Sequence, residues 1–395
     1  MNVYGIVAEY NPFHNGHKYH ILKTRSLGAD AIVAVMSENF VQRGEPAIMP
    51  TSGRVTAALL NGVDLVISLP LPAAVSGAES FARSAIYILD ALSVVKTVSF
   101  GAETSDENKL SQTADAVTDN RLVSIVLDCL KDGRTYASAR QSAVSTLHGK
   151  SISDILSTPN NILAVEYIKA IKSLNSNMRF TAVKRKGALH DSFSKGEYKS
   201  ASQIRNEIYK DLNISESVPK NTLEIINAQK ELGKMPPDKG KFEIAVLSEL
   251  RRKSTADFSK LPDISEGLEN KLYKAVRACS TINDIIDNVK SKRYTHSRIR
   301  RLILSSYLGI TKEYTKALPP YIKVLGFNVK GQSLLSNISK NALIPIITKS
   351  SQIDTLSEFA KSYFQLECKA VDLYSLLLPV PDECGKGMTD GIIKI

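Results

Sequence analysis

The chain has 395 residues, 43% apolar and 23% charged, with 21 Gly and 15 Pro. This composition excludes a disordered, collagen-like or coiled-coil protein, and at about 150 residues each it allows two or three domains. Its net charge of +11 is uneven, because residues 1–150 balance to −1 and residues 151–395 to +12, so a polyanion is expected to meet the later part of the chain.

No basic segment precedes the first apolar run, so no secretory signal is expected and the protein is read as cytoplasmic. β-branched runs at 3–10, 31–37, 65–69, 97–102 and 180–184 predict buried strands, and helical apolar spacing falls between them at 17–27, 54–61 and 79–92. The longest apolar stretch, Leu65 to Ala74, is broken by Pro70 and Pro72 and is far short of the roughly 20 residues that cross a bilayer, so no membrane contact is expected. Alternating strands and helices predict an α/β fold, a Rossmann-like, doubly wound, mostly parallel sheet with helices on both faces. Ligands bind such sheets at the carboxyl ends of the strands. That directs attention to residues 11–17, 38–50 and 101–106.

Beyond residue 215 the pattern becomes helical, at 221–232, 243–252, 268–278 and 298–308, with a loop at 233–240 and one more strand signal at 343–348. Two domains are therefore expected, 1–215 around the sheet and 216–395 mainly helical and basic. Cys129, Cys279, Cys368 and Cys384 lie too far apart for a zinc or redox motif and are read as buried free thiols. No metal centre is expected.

The strongest local signal is His14-Asn15-Gly16-His17, between a predicted strand and a predicted helix. Gly16 would let the backbone pass close to a ligand, the helix amino end would favour negative charge, and two imidazoles could donate to phosphate oxygens. Two surface histidines at a helix cap are the alternative.

On these residues the chain resembles the HxGH, or HIGH-like, nucleotidyltransferase superfamily. The run from Gly5 to His17 is similar to the opening of the bacterial tRNA(Met) cytidine acetate ligases. Further segments agree: Ser37 to Pro46, Ser99 to Glu103, Pro159 to Leu163, Lys184 to Gly187 with His190-Asp191, Ser200 to Arg205, and Tyr294 to Ile299. The resemblance implies a two-step ligase. ATP activates acetate to acetyl-adenylate with release of pyrophosphate, and acetyl then passes to N4 of the wobble cytidine of elongator tRNA(Met).

By the same resemblance, His14 and His17 would be catalytic. Val7, Ala8, Glu9, Tyr10, Asn11, Pro12, Phe13, Asn15, Gly16, Lys18, Tyr19 and His20 would complete the ATP-lining segment, with Gly101, Asn160 and Arg185 contacting the nucleotide. Ser200 or Ser202, with Arg205, would hold the pyrophosphate portion. Gly101 could instead be a turn glycine, Asn160 a helix cap, and the segment from Ser200 an ordinary capped helix. Asp64 and Glu103 could reach a Mg²⁺ that accompanies ATP.

Lys290, Lys292, Arg293, Arg298, Arg300 and Arg301 form the densest basic stretch, with Tyr294 and His296 between them. Charge neutralisation and base stacking would suit a tRNA loop, while a solvated helix face is the plainer reading. An adenylyltransferase for a small phosphorylated metabolite and a catalytically inactive RNA-binding protein remain open beside the ligase. No protein partner is expected.

Overall fold

The structure, a computed structural model, describes residues 1–186, 198–265, 267–291 and 294–395. Its centre is an eight-stranded sheet in the order β10-β8-β5-β2-β1-β6-β7, with β9 added beside β8. The strands are β1 (Val3–Ala8), β2 (Ala31–Ser37), β5 (Leu65–Leu69), β6 (Val95–Ala102), β7 (Arg179–Lys184), β8 (Ile322–Phe327), β9 (Ile346–Ile347) and β10 (Ile393–Lys394). A separate two-stranded hairpin joins β3 (Phe40–Val41) to β4 (Glu45–Pro46). β5, β2, β1, β6 and β7 pair in parallel, and β8 runs antiparallel to β5.

β2 is buried along its whole length and apolar from Ala31 to Met36 because both of its faces are covered. Val33 and Val35 point to one face, where they meet Ile86 and Leu89 of helix Ala78–Ala91 and Ile168 of helix Pro159–Ser173. Ile32, Ala34 and Met36 alternate to the other, against Ile21 of helix Asn15–Ser26 and Val55 and Leu59 of helix Thr51–Leu60. A second core binds the later helices, with Val246, Leu250, Leu272, Ile286 and Ile303 packed around Phe258.

The expected strands are present, with shifts that have local causes. β1 stops at Ala8 rather than residue 10 because Tyr10 turns left-handed, at φ 46°. Helix Asn15–Ser26 starts before residue 17 because His14 caps it. The strand signal at 343–348 reduces to two residues. Residues 216–395 also return β8 and β10 to the main sheet; Lys323 and Gly326 interrupt the apolar run of β8, and β10 is only two residues long. Cys368 is buried as expected, but Cys129 and Cys279 are half-buried and Cys384 is exposed.

This topology places one crevice. From β1 the chain passes to β2 and β5 on one side, then returns to β6 on the other side of β1. The order therefore reverses between β1 and β6, and the carboxyl ends of those two strands diverge into a cleft.

Candidate active site

His14 follows β1 at that reversal and is the N-cap of helix Asn15–Ser26. Its Nδ1 accepts the Gly16 N–H at 3.0 Å, and Nδ1 of His17 accepts the His14 N–H at 3.2 Å. An accepting Nδ1 carries no proton, so each neutral ring holds its proton on Nε2. The rings stack with centroids 3.7 Å apart. Tyr10 and Phe13 support His17 from beneath, at 5.0 and 5.5 Å.

Burial, with Arg185 and Arg205 nearby, lowers His14 to about 3. His17 is held well below the ordinary histidine value by burial first, then by His14, Arg185 and His20. At neutral pH both rings are uncharged Nε2–H donors.

Two expectations need correction. The helix amino end is not open to an anion, because its first-turn amides are already bonded. Asn15 N–H donates to Ser217 O, Gly16 N–H to His14 Nδ1, and the His17 and Lys18 amides to His14 O. Gly16 is explained by the cap itself. A Cβ there would stand 2.8 Å from Cε1 of His14, so a side chain would push the ring out of place.

His20 belongs to a directed chain of hydrogen bonds. The Thr24 hydroxyl donates to His20 O at 2.9 Å, so it accepts from Ser99 Oγ at 2.8 Å, and Ser99 Oγ accepts from His20 Nε2 at 2.9 Å. This ties the helix to β6. Burial, then Arg185, lowers His20 to about 4.

The loop after β1 is held from several sides. Asn11 Oδ1 accepts the Ile48 N–H at 2.7 Å. Arg205 Nη1 donates to Asn11 O at 3.0 Å while its Nη2 pairs with Glu45 at 2.9 Å. Glu9 accepts the Gln42 N–H at 2.8 Å, and burial raises its carboxyl above the usual range. Pro12 is buried, whereas Val7, Ala8 and Asn15 are partly open.

Arg54, fully buried, was not singled out from the sequence. It donates to Glu9 O at 2.7 Å, Ser37 O at 2.9 Å and Met49 O at 3.3 Å, and also to Glu38 O. One guanidinium thus joins the ends of β1 and β2. An arginine entering the otherwise apolar run from Val55 was the available sign.

Across the cleft, Arg185 Nη1 donates to Asn160 Oδ1 at 3.3 Å, and Asn160 Nδ2 donates to Glu103 Oε1 at 2.6 Å. Asn160 is not the cap of its helix. Thr158 is, with Pro159 in the first turn. Glu103 Oε2 accepts from Thr158 and from the Asn161 N–H, at 3.0 and 2.8 Å, so its carboxylate fixes the helix start. A Cβ on Gly101 would reach Arg185 Cγ at an ordinary 3.4 Å, and the protein alone does not demand glycine there.

Asp64 lies just before β5, at the opposite end of the sheet, where it pairs with Arg25 and accepts the Ile32 N–H at 2.7 Å. Neither it nor Glu103 is set to ligate Mg²⁺. Ser200 Oγ caps helix Ala201–Tyr209 through the Gln203 N–H, and Ser202 sits half-buried in its first turn. Lys18 is exposed, and Tyr19 carries the Lys186 ammonium 4.8 Å over its ring.

Of the basic stretch, Lys290 is exposed, Arg298, Arg300 and Arg301 are half-buried on helix His296–Leu308, and Lys292 and Arg293 lie outside the described residues, as do His190 and Asp191. Tyr294 is buried, its hydroxyl donating to Ser265 O, so it is a core residue and not a stacking platform. His296 is exposed. Among the described residues no helix is long and apolar enough to cross a membrane.

A parallel sheet that presents two imidazole donors at its reversal point is the site of a nucleotidyl-transfer protein. Residues 1–387 match the HIGH Nucleotidyl Transferase family. The tRNA(Met) cytidine acetate ligase of Thermoanaerobacter sp. is 40% identical over the full length of both chains. That of Caldanaerobacter subterraneus is 41% identical over 95% of each. The crystal structure of apo TmcAL from Thermotoga maritima superposes with a TM-score of 0.94 at 34% identity, and TmcAL bound with alpha-thio ATP with 0.93 at 33%, each over all of both chains. The chain belongs to the tRNA(Met) cytidine acetate ligase family.

Proposed function

We propose that this chain activates acetate with ATP and acetylates N4 of the wobble cytidine of elongator tRNA(Met). An acetate oxygen attacks the α-phosphorus and pyrophosphate leaves. The cytidine amine then attacks the acetyl carbon, N4 loses a proton and AMP departs. The observation that carries this reading is the pair of Nε2–H donors at the reversal of the sheet, their tautomer fixed by the capping bonds of His14 and His17. Such donors stabilise charge as it develops on the phosphates without reorganising. Because both rings are neutral, cationic help falls to Arg185, steadied by Asn160.

The loop from Val7 to His20 and Gly101 would line the ATP pocket. Arg205 would act mainly by fixing Asn11, with Ser202 beside it facing the pyrophosphate. Mg²⁺ would travel on ATP, without a carboxylate from Asp64 or Glu103. Residues 1–215 would carry the nucleotide chemistry and 216–395 the RNA, with Lys290, Lys292, Arg293, Arg298, Arg300 and Arg301 meeting its phosphates. A cytoplasmic location follows from that substrate.

The test is incubation of the purified protein with labelled acetate, ATP and unmodified tRNA, followed by nucleoside analysis. N4-acetylcytidine supports the reading. AMP transfer to a metabolite without tRNA, or tRNA binding without turnover, would overturn it.

A further inference from the structure

A second polar cleft lies between the amino end of helix Ala78–Ala91 and helix His296–Leu308. Its polar walls include Ser76, Gly77, Asp263, Arg298, Arg301 and Ser305. The 14-residue helix begins at Gly77, which has no side chain to cap it. The positive end of a helix therefore borders the cleft.

An independent observation points to a ligand. Ser305 is 1% exposed, yet among the described residues its Oγ has no hydrogen-bond partner, and the buried Nε atoms of Arg298 and Arg301 have none either. Buried polar groups are nearly always satisfied. Here the guanidinium groups can only donate and the hydroxyl is able to, so the absent group is an acceptor. Asp263 is the carboxylate on the wall. Its backbone carbonyl accepts from Arg298, and among the described residues no ion pair within 4.0 Å joins its carboxylate to either arginine. Among the described residues that line the cleft, two guanidinium charges stand against one carboxylate, so this lining is positive. Converging donors, a helix amino end and net positive charge match a phosphate oxyanion.

We propose that this cleft is a socket for one backbone phosphate of the RNA substrate. The proposal rests on the RNA reading above and adds a defined contact to it. Its position is informative, because Gly44, at φ 77°, lets the β3–β4 hairpin lie against the same turn. A Cβ there would come within 2.9 Å of Arg300 C and Arg301 N. The hairpin in turn holds Glu9 through Gln42 and Arg205 through Glu45. A phosphate seated on Arg301 is thereby held in fixed register with the loop that carries His14.

The chemistry of the socket would equally suit free inorganic phosphate, so the experiment separates the two sources. Arg301→Met and Ser305→Ala remove unpaired buried donors and keep the side-chain stem, so both variants are expected to melt no lower than wild type in phosphate-free buffer. Inorganic phosphate should raise the melting temperature of wild type and not of either variant. In tRNA binding, Arg301→Met should lose about tenfold in affinity and lower the slope of log K against log salt by about 1. Ser305→Ala should weaken binding with its slope kept.

Equal phosphate protection of all three proteins would overturn the proposal. Protection confined to wild type with unaltered tRNA binding in both variants would also overturn it, leaving a site for a free anion. Wild-type acetylation of tRNA, measured alongside, separates these outcomes from a failure of the ligase reading.

Discussion

The ring of His17 lies on the ring of His14 with 21° between their planes, and the two residues form a capping box in which both reciprocal acceptors are imidazole nitrogens. Helix initiation and the tautomer of the two imidazole donors are therefore one structure. A substitution at His14 changes both, and the choice of substitution separates them.

His14→Ala removes the cap and the donor, whereas His14→Asn keeps a side-chain acceptor for the Gly16 amide. Acetate-dependent ATP–pyrophosphate exchange should fall by about 10²–10³-fold in both. Thermal stability should fall by about 1 kcal/mol in the alanine variant and much less in the asparagine variant. Exchange at the wild-type rate in His14→Asn would remove the ring from the chemistry.

Gly16→Ala reverses the usual sign. A helical glycine replaced by alanine normally gains about 1 kcal/mol, but here the new Cβ meets Cε1 and Nδ1 of His14 at 2.8 and 3.0 Å. The expected outcome is a lower melting temperature together with an exchange rate close to that of His14→Ala. A stabilised and active Gly16→Ala would contradict the packing described for the cap.

How far these features were legible in the sequence depends on what kind of group makes each contact. β2 was readable because a strand covered on both faces is a continuous apolar run, here Ala31 to Met36, and it ends one residue later, at Ser37, before the charged Glu38. The two histidines were readable from their spacing. Arg54 was not, since its partners are backbone carbonyls of Glu9, Ser37, Glu38 and Met49, and a carbonyl looks the same in every residue. The amides of helix Asn15–Ser26 invited an anion until Ser217, some 200 residues away in the chain, proved to accept the first of them. Tyr294 read as a stacking surface because local charge hid its place in the helical core.

The depressed histidines set a pH dependence. His14 lies at about 3 and His20 at about 4 when folded, against about 6.5 in an unfolded chain. Between those values the unfolded state binds more protons. Their contribution is thus whole above about pH 6.5 and is lost as pH falls through about 4 and then 3. Unfolding free energy should decline over that window, less steeply in His20→Gln. The exchange rate should show no ionisation near 6.5, and a rate lost as pH rises through that value would mean that a charged imidazole is needed.

Glu367 acts with the opposite sign. It is 3% exposed, accepts from Tyr321 Oη at 2.6 Å, and is raised to about 7 by burial first, with Lys323 opposing and Glu38 adding. Its folded value exceeds the unfolded one, so its contribution is full below the usual carboxylate range and is lost as pH rises through about 7. Glu367→Gln should gain stability relative to wild type between about pH 5 and 8. A constant difference across that range would show that Glu367 ionises as freely in the fold as in water.

Arg54 tests whether the ends of β1 and β2 must be tied together for the site to work. Burial lowers it to about 10, with the nearby Glu9 and Glu38 charges opposing, so it is still a cation at neutral pH, and carbonyl dipoles join those carboxylates in balancing it. Arg54→Ala would leave those carbonyls buried without donors, at a cost of about 1–3 kcal/mol for each one that stays unsatisfied. Arg54→Lys keeps the charge but has no planar fork to span Glu9, Ser37 and Met49 at once. The lysine variant should therefore remain folded, with a melting temperature between those of the other two. Its ATP–pyrophosphate exchange should fall more than its stability explains, because the freed Glu9 carbonyl lets the loop carrying His14 move. Exchange that simply tracks the folded fraction would make Arg54 a stabilising residue and nothing more.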